Sequence, residues 1–365
     1  MILSELVNYL EKQAPLAYQE GYDNSGLIVG TYNKEIKSGL ISLDCTEDVV
    51  HEAVESGCDI IISHHPIVFK GLKKLNGNSY VERVVMKAIK HDIAIYAIHT
   101  NLDNVNHGVN RKIADKLKLS NCSILLPKDD LLYKLVVFVP KSDAETLRDA
   151  LFQAGAGAIG NYSECSFNTE GLGTFKAGDG TNPYVGNVGE RHHEKEEKVE
   201  VIYPKHVEKK LVVAMHEAHP YEEVAYDIYK LQNKYHQVGS GMIGQTQEAL
   251  EELDFLAIVK ENLNVQVIRH SNLNGKKIQR VAVCGGAGGF LLPHAIRMGA
   301  DAFVTADYKY HEFFDAEGKI LITDVGHFES EQFTQELLLE IIQKKFPNFA
   351  VRLTGVNTNP INYYI

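Results

Sequence analysis

Short apolar runs alternate with amphipathic stretches over the first 125 residues. The runs at 58–63 and 92–99 contain few polar positions, as expected of strands that are buried on both faces. The stretch 47–57 has helical spacing, with Thr46 placed to cap the helix and Gly57 placed to end it. Buried strands separated by helices predict an α/β fold whose sheet is mostly parallel, with helices on its faces.

The pattern changes between residues 126 and 239. Two helical stretches there are set among four strand-like runs in the order β-α-β-β-α-β, which is the split βαβ arrangement of ferredoxin-like domains. The α/β pattern then returns. We therefore predict a core made of two halves, 1–125 and 240–365, which is interrupted by an inserted ferredoxin-like domain at 126–239.

Composition narrows the class of protein. A chain of 365 residues exceeds the usual size of one hydrophobic core, which favours two domains. A net charge of −11 argues against nucleic acid as the main partner. No apolar run is long enough to span a membrane, and the N-terminus has the pattern of an amphipathic helix, not of a signal peptide. The five scattered cysteines are typical of a reducing compartment, so we expect a cytoplasmic protein.

Two adjacent histidines follow the predicted strand at 58–63. Neighbouring residues in a regular strand point to opposite faces, so His64 and His65 reach one site only if the strand ends there. Pro66 favours such an end, because it removes a backbone donor and restricts His65 to an extended conformation. Two exposed loop histidines are the alternative. The carboxyl end of a buried parallel strand is, however, where α/β proteins bind ligands, so we predict two metal ligands.

Two further strand ends carry the same residue types. His99 ends the next predicted strand and Asp103 follows it, although an Asx-type turn would also account for the aspartate. His327 and Glu331 open a long helix after the strand at 319–326, and their i, i+4 spacing puts them on one helical face. A carboxylate that only complements the helix dipole would explain Glu331 but not His327.

Three strand ends are thus predicted to direct histidines and carboxylates to the same edge of the sheet. Three histidines and two carboxylates exceed the ligands that one tetrahedral zinc ion needs. A carboxylate that bridges two cations would use the surplus, which predicts a two-metal site able to activate water for hydrolysis. Imidazole with carboxylate suits zinc, iron, manganese or nickel better than magnesium or calcium. The predicted ligands are His64, His65, Asp103, His327 and Glu331.

A glycine-rich turn is a candidate for binding an anion beside this site. It lies between a predicted strand and a predicted helix, where backbone amides can surround a phosphate or carboxylate. Its spacing matches neither the dinucleotide nor the Walker fingerprint, and a plain tight turn is the simpler interpretation. The glycines concerned are Gly285, Gly286, Gly288 and Gly289.

Three residues are candidates for proton transfer. Asp307 and His311 follow the predicted strand at 301–307, and His99 ends the strand at 92–99. Each offers a group that can act as a general acid or base near the metals. A capped helix start is the alternative for Asp307 and His311.

At these residues the chain resembles the GTP cyclohydrolase 1 type 2 homologues, also called the NGG-interacting-factor family. The resemblance runs nearly end to end. It rests on the segments YDNSGLIVG, SLDCT, DIIISHHPIVF, HTNLD, VCGGAGG, VTADYKYH and ITDVGHFESE. The inserted segment is similar to the PII/CutA-like domain of the longer bacterial members, including its HPYEEVAYD stretch at 219–227.

The resemblance implies an assignment of the metal ligands. His65 and Asp103 would bind one ion, His64 and His327 would bind the other, and Glu331 would bridge both. It also implies a toroidal homohexamer with two divalent ions in each chain.

Three positions depart from the residues that are frequent in the family. Tyr22 stands where Trp is common, Ala306 where Gly is common and Phe328 where Tyr is common. None of the three is a predicted metal ligand.

The resemblance also implies an activity. By the family name, the chain would be a metal-dependent hydrolase that opens the purine ring of GTP or of a related nucleotide. A non-catalytic metal-binding regulator, whose inserted domain senses a small molecule or partner, is the first alternative. Two-metal phosphoesterase chemistry on a nucleotide is the second.

Overall fold

The computed structural model describes residues 1–364 and divides into two compact units. The core unit is formed by the chain up to Pro127 together with the chain from His236 onward, and the inserted unit is Lys128–Tyr235. The inserted unit falls within the predicted insertion at 126–239. Within the described part of the chain, no helix combines the length and the apolar character needed to cross a membrane.

The first part of the core unit alternates strands with helices. Its elements are α1 Leu3–Gln13, β1 Gly26–Val29, β2 Ser38–Ser42, α2 Glu47–Glu55, β3 Ile60–Ser63, α3 Tyr80–Lys90, β4 Ala94–Ala97, α4 Thr100–Asp103, α5 Val109–Lys116 and β5 Ser120–Lys128. The inserted unit follows with β6 Leu132–Pro140, α6 Ala144–Ala154, β7 Ser166–Lys176, β8 Arg191–Pro204, α7 Glu208–Ala218 and β9 Tyr226–Lys230.

The core unit then resumes. Its remaining elements are β10 Tyr235–Leu250, α8 Glu252–Asn262, β11 Arg269–His270, β12 Ile278–Val283, α9 Leu292–Arg297, β13 Ala302–Thr305, β14 Leu321–Asp324, α10 His327–Glu331, α11 Thr334–Lys345 and β15 Ala350–Leu353.

Local sequence explains why these segments take their form, as α3 illustrates. Ser79 caps the helix by accepting a hydrogen bond from the backbone N–H of Glu82 at 3.3 Å. Val84, Val85 and Ala88 share one face and are buried. Burying each valine stabilises the fold by about 1.5–3 kcal/mol.

The core unit contains two mixed sheets. The five-stranded sheet has the order β1-β4-β3-β2-β15, and the six-stranded sheet has the order β11-β14-β13-β12-β10-β5. Strands β15, β2, β3 and β4 run parallel, as do β12, β13 and β14. Strands β1, β10 and β11 pair antiparallel with their neighbours.

The prediction of a single, mostly parallel sheet is therefore wrong. A parallel pair needs a long crossover, which α2 and α3 supply between β2, β3 and β4. An apolar run looks the same in the sequence whichever way its neighbour runs. The antiparallel strands and the division into two sheets were consequently invisible to the pattern.

The inserted unit is an antiparallel sheet with two helices. Its strand order is β7-β8-β6-β9, and every pair is antiparallel, which is the split βαβ arrangement. Its own apolar core joins β6 and β8 to both helices, through buried residues such as Val137, Val201, Leu147 and Leu211. Its likeness to PII and CutA proteins stays a prediction.

We predict that the core unit folds without the inserted unit. The two chain segments that flank the insertion are in contact, since a Cβ built on Gly239 would lie 2.1 Å from the carbonyl oxygen of Leu126. A short Gly-Ser linker from Pro127 to His236 can therefore replace residues 128–235. The shortened chain should unfold in one cooperative transition on heating, as followed by circular dichroism. A chain that lacks cooperative unfolding would contradict this expectation.

Candidate metal centre

The five predicted metal ligands come together in the core unit. His64 and His65 follow β3, and Asp103 ends the short helix α4 after β4. His327 and Glu331 begin and end α10, which follows β14. Since β3 and β4 belong to one sheet and β14 to the other, the ligands lie where the two sheets meet. They do not share one edge of one sheet, as the sequence had suggested.

Glu331 is at the centre of this cluster. Its Oε2 lies 3.0 Å from Nε2 of His65 and 3.1 Å from Nε2 of His327. Nε2 of His64 lies 3.9 Å from Oε1 of Glu331 and 3.6 Å from Oδ1 of Asp103. The distances therefore place His65 and His327 at one oxygen of Glu331, and His64 with Asp103 at the other.

Two buried atoms in the cluster have no hydrogen-bond partner among residues 1–364. They are Nε2 of His64 and Oδ1 of Asp103, and the His64 side chain is 0% exposed. An unpaired buried polar atom is costly, and two of them 3.6 Å apart suit a shared cation. The residues therefore fit a metal ion.

The second ring nitrogen of each of the three predicted ligand histidines is held by an oxygen atom. This arrangement is typical of metal-binding histidines, because it fixes the tautomer and points Nε2 at the ion. The Nδ1 partners are the backbone oxygen of Ile98 for His64 at 2.8 Å, Asp44 for His65 at 2.7 Å and Asp307 for His327 at 2.7 Å.

His99 also faces the cluster. Its ring centroid lies 5.2 Å from that of His64 and 5.3 Å from that of His65. Its Nδ1 donates to Oδ1 of Asp23 at 2.8 Å, and the Asp23 side chain is completely buried. His64, His65 and His99 form a further group whose donor atoms lie within 4.8 Å of one another.

Sequence reasoning missed Asp44 and Asp23. Asp44 stands just after β2, so the same strand-end signal that identified the histidines could have found it. Its second oxygen accepts a hydrogen bond from Thr358 at 2.7 Å, which connects the segment after β15 to the site. Asp23 lies in a loop before β1, within the motif YDNSGLIVG, which carried the family resemblance but was not assigned a role.

Asp307 and His311, the other two residues predicted to transfer protons, differ in their distance from the cluster. Asp307 accepts a hydrogen bond from the predicted metal ligand His327, and its φ of 58° marks a sharp turn after β13. His311 is exposed on the 3-10 helix Tyr310–Ala316, where its ring contacts Tyr310 and Phe314. It does not line the cleft beside the cluster, so its position gives no support to the proton-transfer prediction.

The glycine-rich turn approaches the cluster but uses its amides internally. The N–H groups of Gly285, Gly286 and Gly288 donate to the side chains of Asn110, Ser330 and Thr305 at 2.9–3.0 Å. These three donors are therefore not free for an anion. Gly289 lies next in the chain and begins a short 3-10 helix.

The charges in the cluster are strongly coupled. Burial disfavours the charged form of His65, but hydrogen bonds to Asp44 and Glu331 outweigh it and raise the pKa of His65 to about 10. Burial opposes the charge of His327 as well, yet Asp307 and Glu331 raise its pKa to about 11.

The two carboxyl groups of the cluster shift in opposite directions. Burial raises the pKa of Asp103, and the neighbouring Glu331 adds to that effect. For Glu331 itself, burial is outweighed by hydrogen bonds from His327 and His65 and by the nearby imidazole of His64, which hold its pKa well below the usual range. An added positive charge would stabilise the ionised form of Asp103.

The cluster forms one wall of a cleft of about 1140 Å³. Aromatic side chains line much of the remainder, among them Tyr22, Phe69, Phe290 and Phe328. A cleft that combines apolar walls with a few convergent polar groups is typical of a small-molecule site.

Comparisons with known proteins find relatives over nearly the whole chain. A family model described as Duf34/NIF3 (NGG1p interacting factor 3) matches residues 1–360. The GTP cyclohydrolase 1 type 2 homolog of Bacillus subtilis (strain 168) is 40% identical over 365 residues, covering 98% of each chain. A protein of the same name from Staphylococcus epidermidis is 35% identical over 100% of each chain.

Solved structures agree as well. A Bacillus cereus protein related to NIF3 has a TM-score of 0.87 and 38% identity, covering 100% of this chain and 99% of that chain. Staphylococcus aureus protein SA1388 has a TM-score of 0.79 and 30% identity with the same coverage. The resemblance inferred from the sequence motifs is confirmed.

Gly286→Ala is predicted to weaken metal binding at the cluster. A Cβ on Gly286 would lie 2.6 Å from Oε1 of Glu331, so this carboxylate would have to move. The φ of 62° adds a backbone cost of about 1 kcal/mol. We expect a clear fall in the zinc retained after dialysis, measured by elemental analysis.

Gly275→Ala is the matched control. Gly275 has a φ of 67°, and nothing lies within 4 Å of its ideal Cβ. Both variants should therefore lose a similar amount of thermal stability, but only the Gly286 variant should lose zinc. Equal zinc retention would show that the close approach to Glu331 is unimportant.

Proposed function

The chain belongs to the Duf34/NIF3 family, and from that premise we propose a dinuclear metal-dependent hydrolase that acts on GTP or a related nucleotide. The observation that carries the proposal is the convergence of three histidines and two carboxylates at a cleft. The substrate class comes from the printed name of the relatives. Zinc is the preferred ion, with iron, manganese or nickel as alternatives that imidazole and carboxylate ligands also suit.

Glu331 would take part in binding both ions. The distances group His65 and His327 around one of its oxygens and His64 with Asp103 around the other. The family resemblance implies a different pairing of the histidines. In both pairings Glu331 would help to hold both ions, and a carboxylate in that role suits a two-metal site.

Cations held at this cluster would polarise an oxygen of the substrate and lower the pKa of water, which is the chemistry that hydrolysis needs. His99 is the protein group best placed to move a proton. Because Asp23 holds Nδ1 of His99, the other ring nitrogen is left for the substrate side. Asp307 acts as a positioning residue by holding Nδ1 of His327.

The homohexamer implied by the resemblance is also carried forward as a proposal. It predicts a particle of six chains of 40.7 kDa each, which light scattering after size exclusion would measure. A monomer or dimer at micromolar concentration would contradict it.

Elemental analysis of freshly purified protein is the first test of the site. We expect close to two equivalents of zinc or of another transition metal per chain. Fewer than one equivalent, without chelator treatment, would contradict the paired ions.

Glu331→Gln is predicted to abolish activity while the fold survives. The neutral amide cannot supply two anionic oxygens, so the bound metal should fall to one equivalent or less. Turnover of GTP should drop by about 100-fold or more. Changing a residue that only supports a metal ligand can already lower metal affinity or activity by about 10–100-fold. Released formate would be measured by a coupled dehydrogenase assay, and released phosphate by a colorimetric assay.

Glu329→Gln is the matched control for this variant. Glu329 is buried in the same short helix, but its carboxylate accepts a hydrogen bond from Asn359 at 3.1 Å and does not join the cluster. This variant should keep both its metal and its turnover. Release of phosphate without formate would favour a phosphoesterase. Absence of turnover across a nucleotide panel, with metal still bound, would favour the non-catalytic regulator.

A further inference from the structure

Three lysines line the same cleft as the cluster. Lys70, Lys73 and Lys74 lie on the loop between β3 and α3, and all three are exposed. Within residues 1–364, none of them forms an ion pair or a side-chain hydrogen bond. We call this segment, residues 69–75, the lysine loop.

The lysine loop is locally basic, although the chain as a whole is acidic. The protein as a whole has a net charge of −11, yet residues 60–81 contain three lysines and no aspartate or glutamate. The nearest following carboxylate, Glu82, is occupied by the backbone N–H groups of Asn76 and Asn78 at 3.1 Å. The lysine loop is therefore a positively charged segment of the cleft lining and can attract anions. The carboxylates that also line the cleft, Glu20, Asp44, Glu82, Asp103 and Glu331, lie outside this loop.

Exposed apolar side chains stand beside the lysines in the same cleft. Tyr22 is 70% exposed, Phe290 is 62% exposed and Phe69 is 47% exposed, and all three line it. The ring of Phe69 also meets the ring of His99 edge-on, with 5.5 Å between centroids. Flat apolar groups of a ligand pack well on such rings. The contact between Phe69 and His99 connects the lysine loop to the cluster.

We propose that Lys70, Lys73 and Lys74 bind the phosphate groups of the ligand whose flat body lies on the aromatic side chains of the cleft. Lysine binds phosphate as a flexible point charge, and three lysines within five residues can follow a chain of phosphates. The inference rests on the proposed function in that the ligand is the substrate of the same cleft. Phosphate binding by these lysines does not itself require hydrolysis.

The test measures binding of inorganic tripolyphosphate to the metal-loaded protein by calorimetry. The variant carries Lys70→Gln, Lys73→Gln and Lys74→Gln together. We expect its dissociation constant to rise by about tenfold or more, because three charge-assisted contacts are lost. Raising the salt concentration should weaken binding to the wild type more than to the variant, since exposed charges are screened.

The matched control removes three positive charges elsewhere. Lys37, Lys344 and Lys345 are exposed and do not line the cleft, so the variant with all three changed to Gln has the same net charge. It should bind tripolyphosphate within twofold of the wild type. A similar loss in both variants would overturn the assignment, because net charge alone would then explain it.

Two further outcomes would overturn the proposal. One is equal binding by the wild type and the lysine-loop variant. The other is equally tight binding of a tricarboxylate such as tricarballylate, which would show that the loop does not select phosphate. With GTP as substrate, the lysine-loop variant should show a raised KM and a nearly unchanged kcat, as expected of groups that bind without reacting.

Metal content separates a failure of this inference from a failure of the proposed function. The lysine-loop variant should keep the same metal content as the wild type, since Lys70, Lys73 and Lys74 form no hydrogen bond or ion pair with the cluster in the described part of the chain. Loss of phosphate binding with metal retained supports the inference even if no nucleotide is hydrolysed. Absence of metal from the wild type would contradict the proposed function alone.

Discussion

The buried carboxylate of Glu331 constrains how the two sheets of the core unit are placed. A buried charge is stable only when other groups compensate it, and Glu331 is 3% exposed. His65 and His327 approach one of its oxygens, and His64 lies near the other. These groups come from both sheets, so the two sheets must hold a defined relative position for the charge to be tolerated.

The surroundings of the cluster reinforce that arrangement. Each imidazole is oriented from behind, by a backbone oxygen or by an aspartate, so little rotation is left to it. Thr358 in turn donates a hydrogen bond to Asp44, the aspartate that orients His65. Gly286 allows the backbone to come close to Glu331, where any side chain would collide with the carboxylate. A site held in this way is preorganised before a ligand arrives.

The cleft beside this site is lined by side chains of three different kinds. One wall carries the histidines and carboxylates, and aromatic rings line much of the rest. The three lysines of the lysine loop, whose side chains are flexible, also line the cleft. The basic lysine loop in this acidic protein can attract an anionic ligand toward the candidate metal cluster. The inserted unit contributes no residue to the cluster, since all of its ligands belong to the core unit.

Local sequence was enough to identify the five candidate ligands and the βαββαβ order of the insertion. His64, Asp103 and Glu331 each follow a strand closely, so covalent connection alone places them at a strand end. The repeated alternation of helix and strand likewise depends on near neighbours. The motifs also indicated the family, which the comparisons confirmed.

The tertiary structure decided what depends on contacts between distant residues. The direction in which β1, β10 and β11 pair, and the division into two sheets, follow from long-range hydrogen bonds that an apolar pattern does not encode. The same holds for Asp23, which meets His99 only through folding, and for His311, which lies away from the cleft despite its favourable position after a strand. The hydrophobic pattern of a sequence indicates whether a residue is buried. Which strand or side chain that residue contacts is determined only by the tertiary structure.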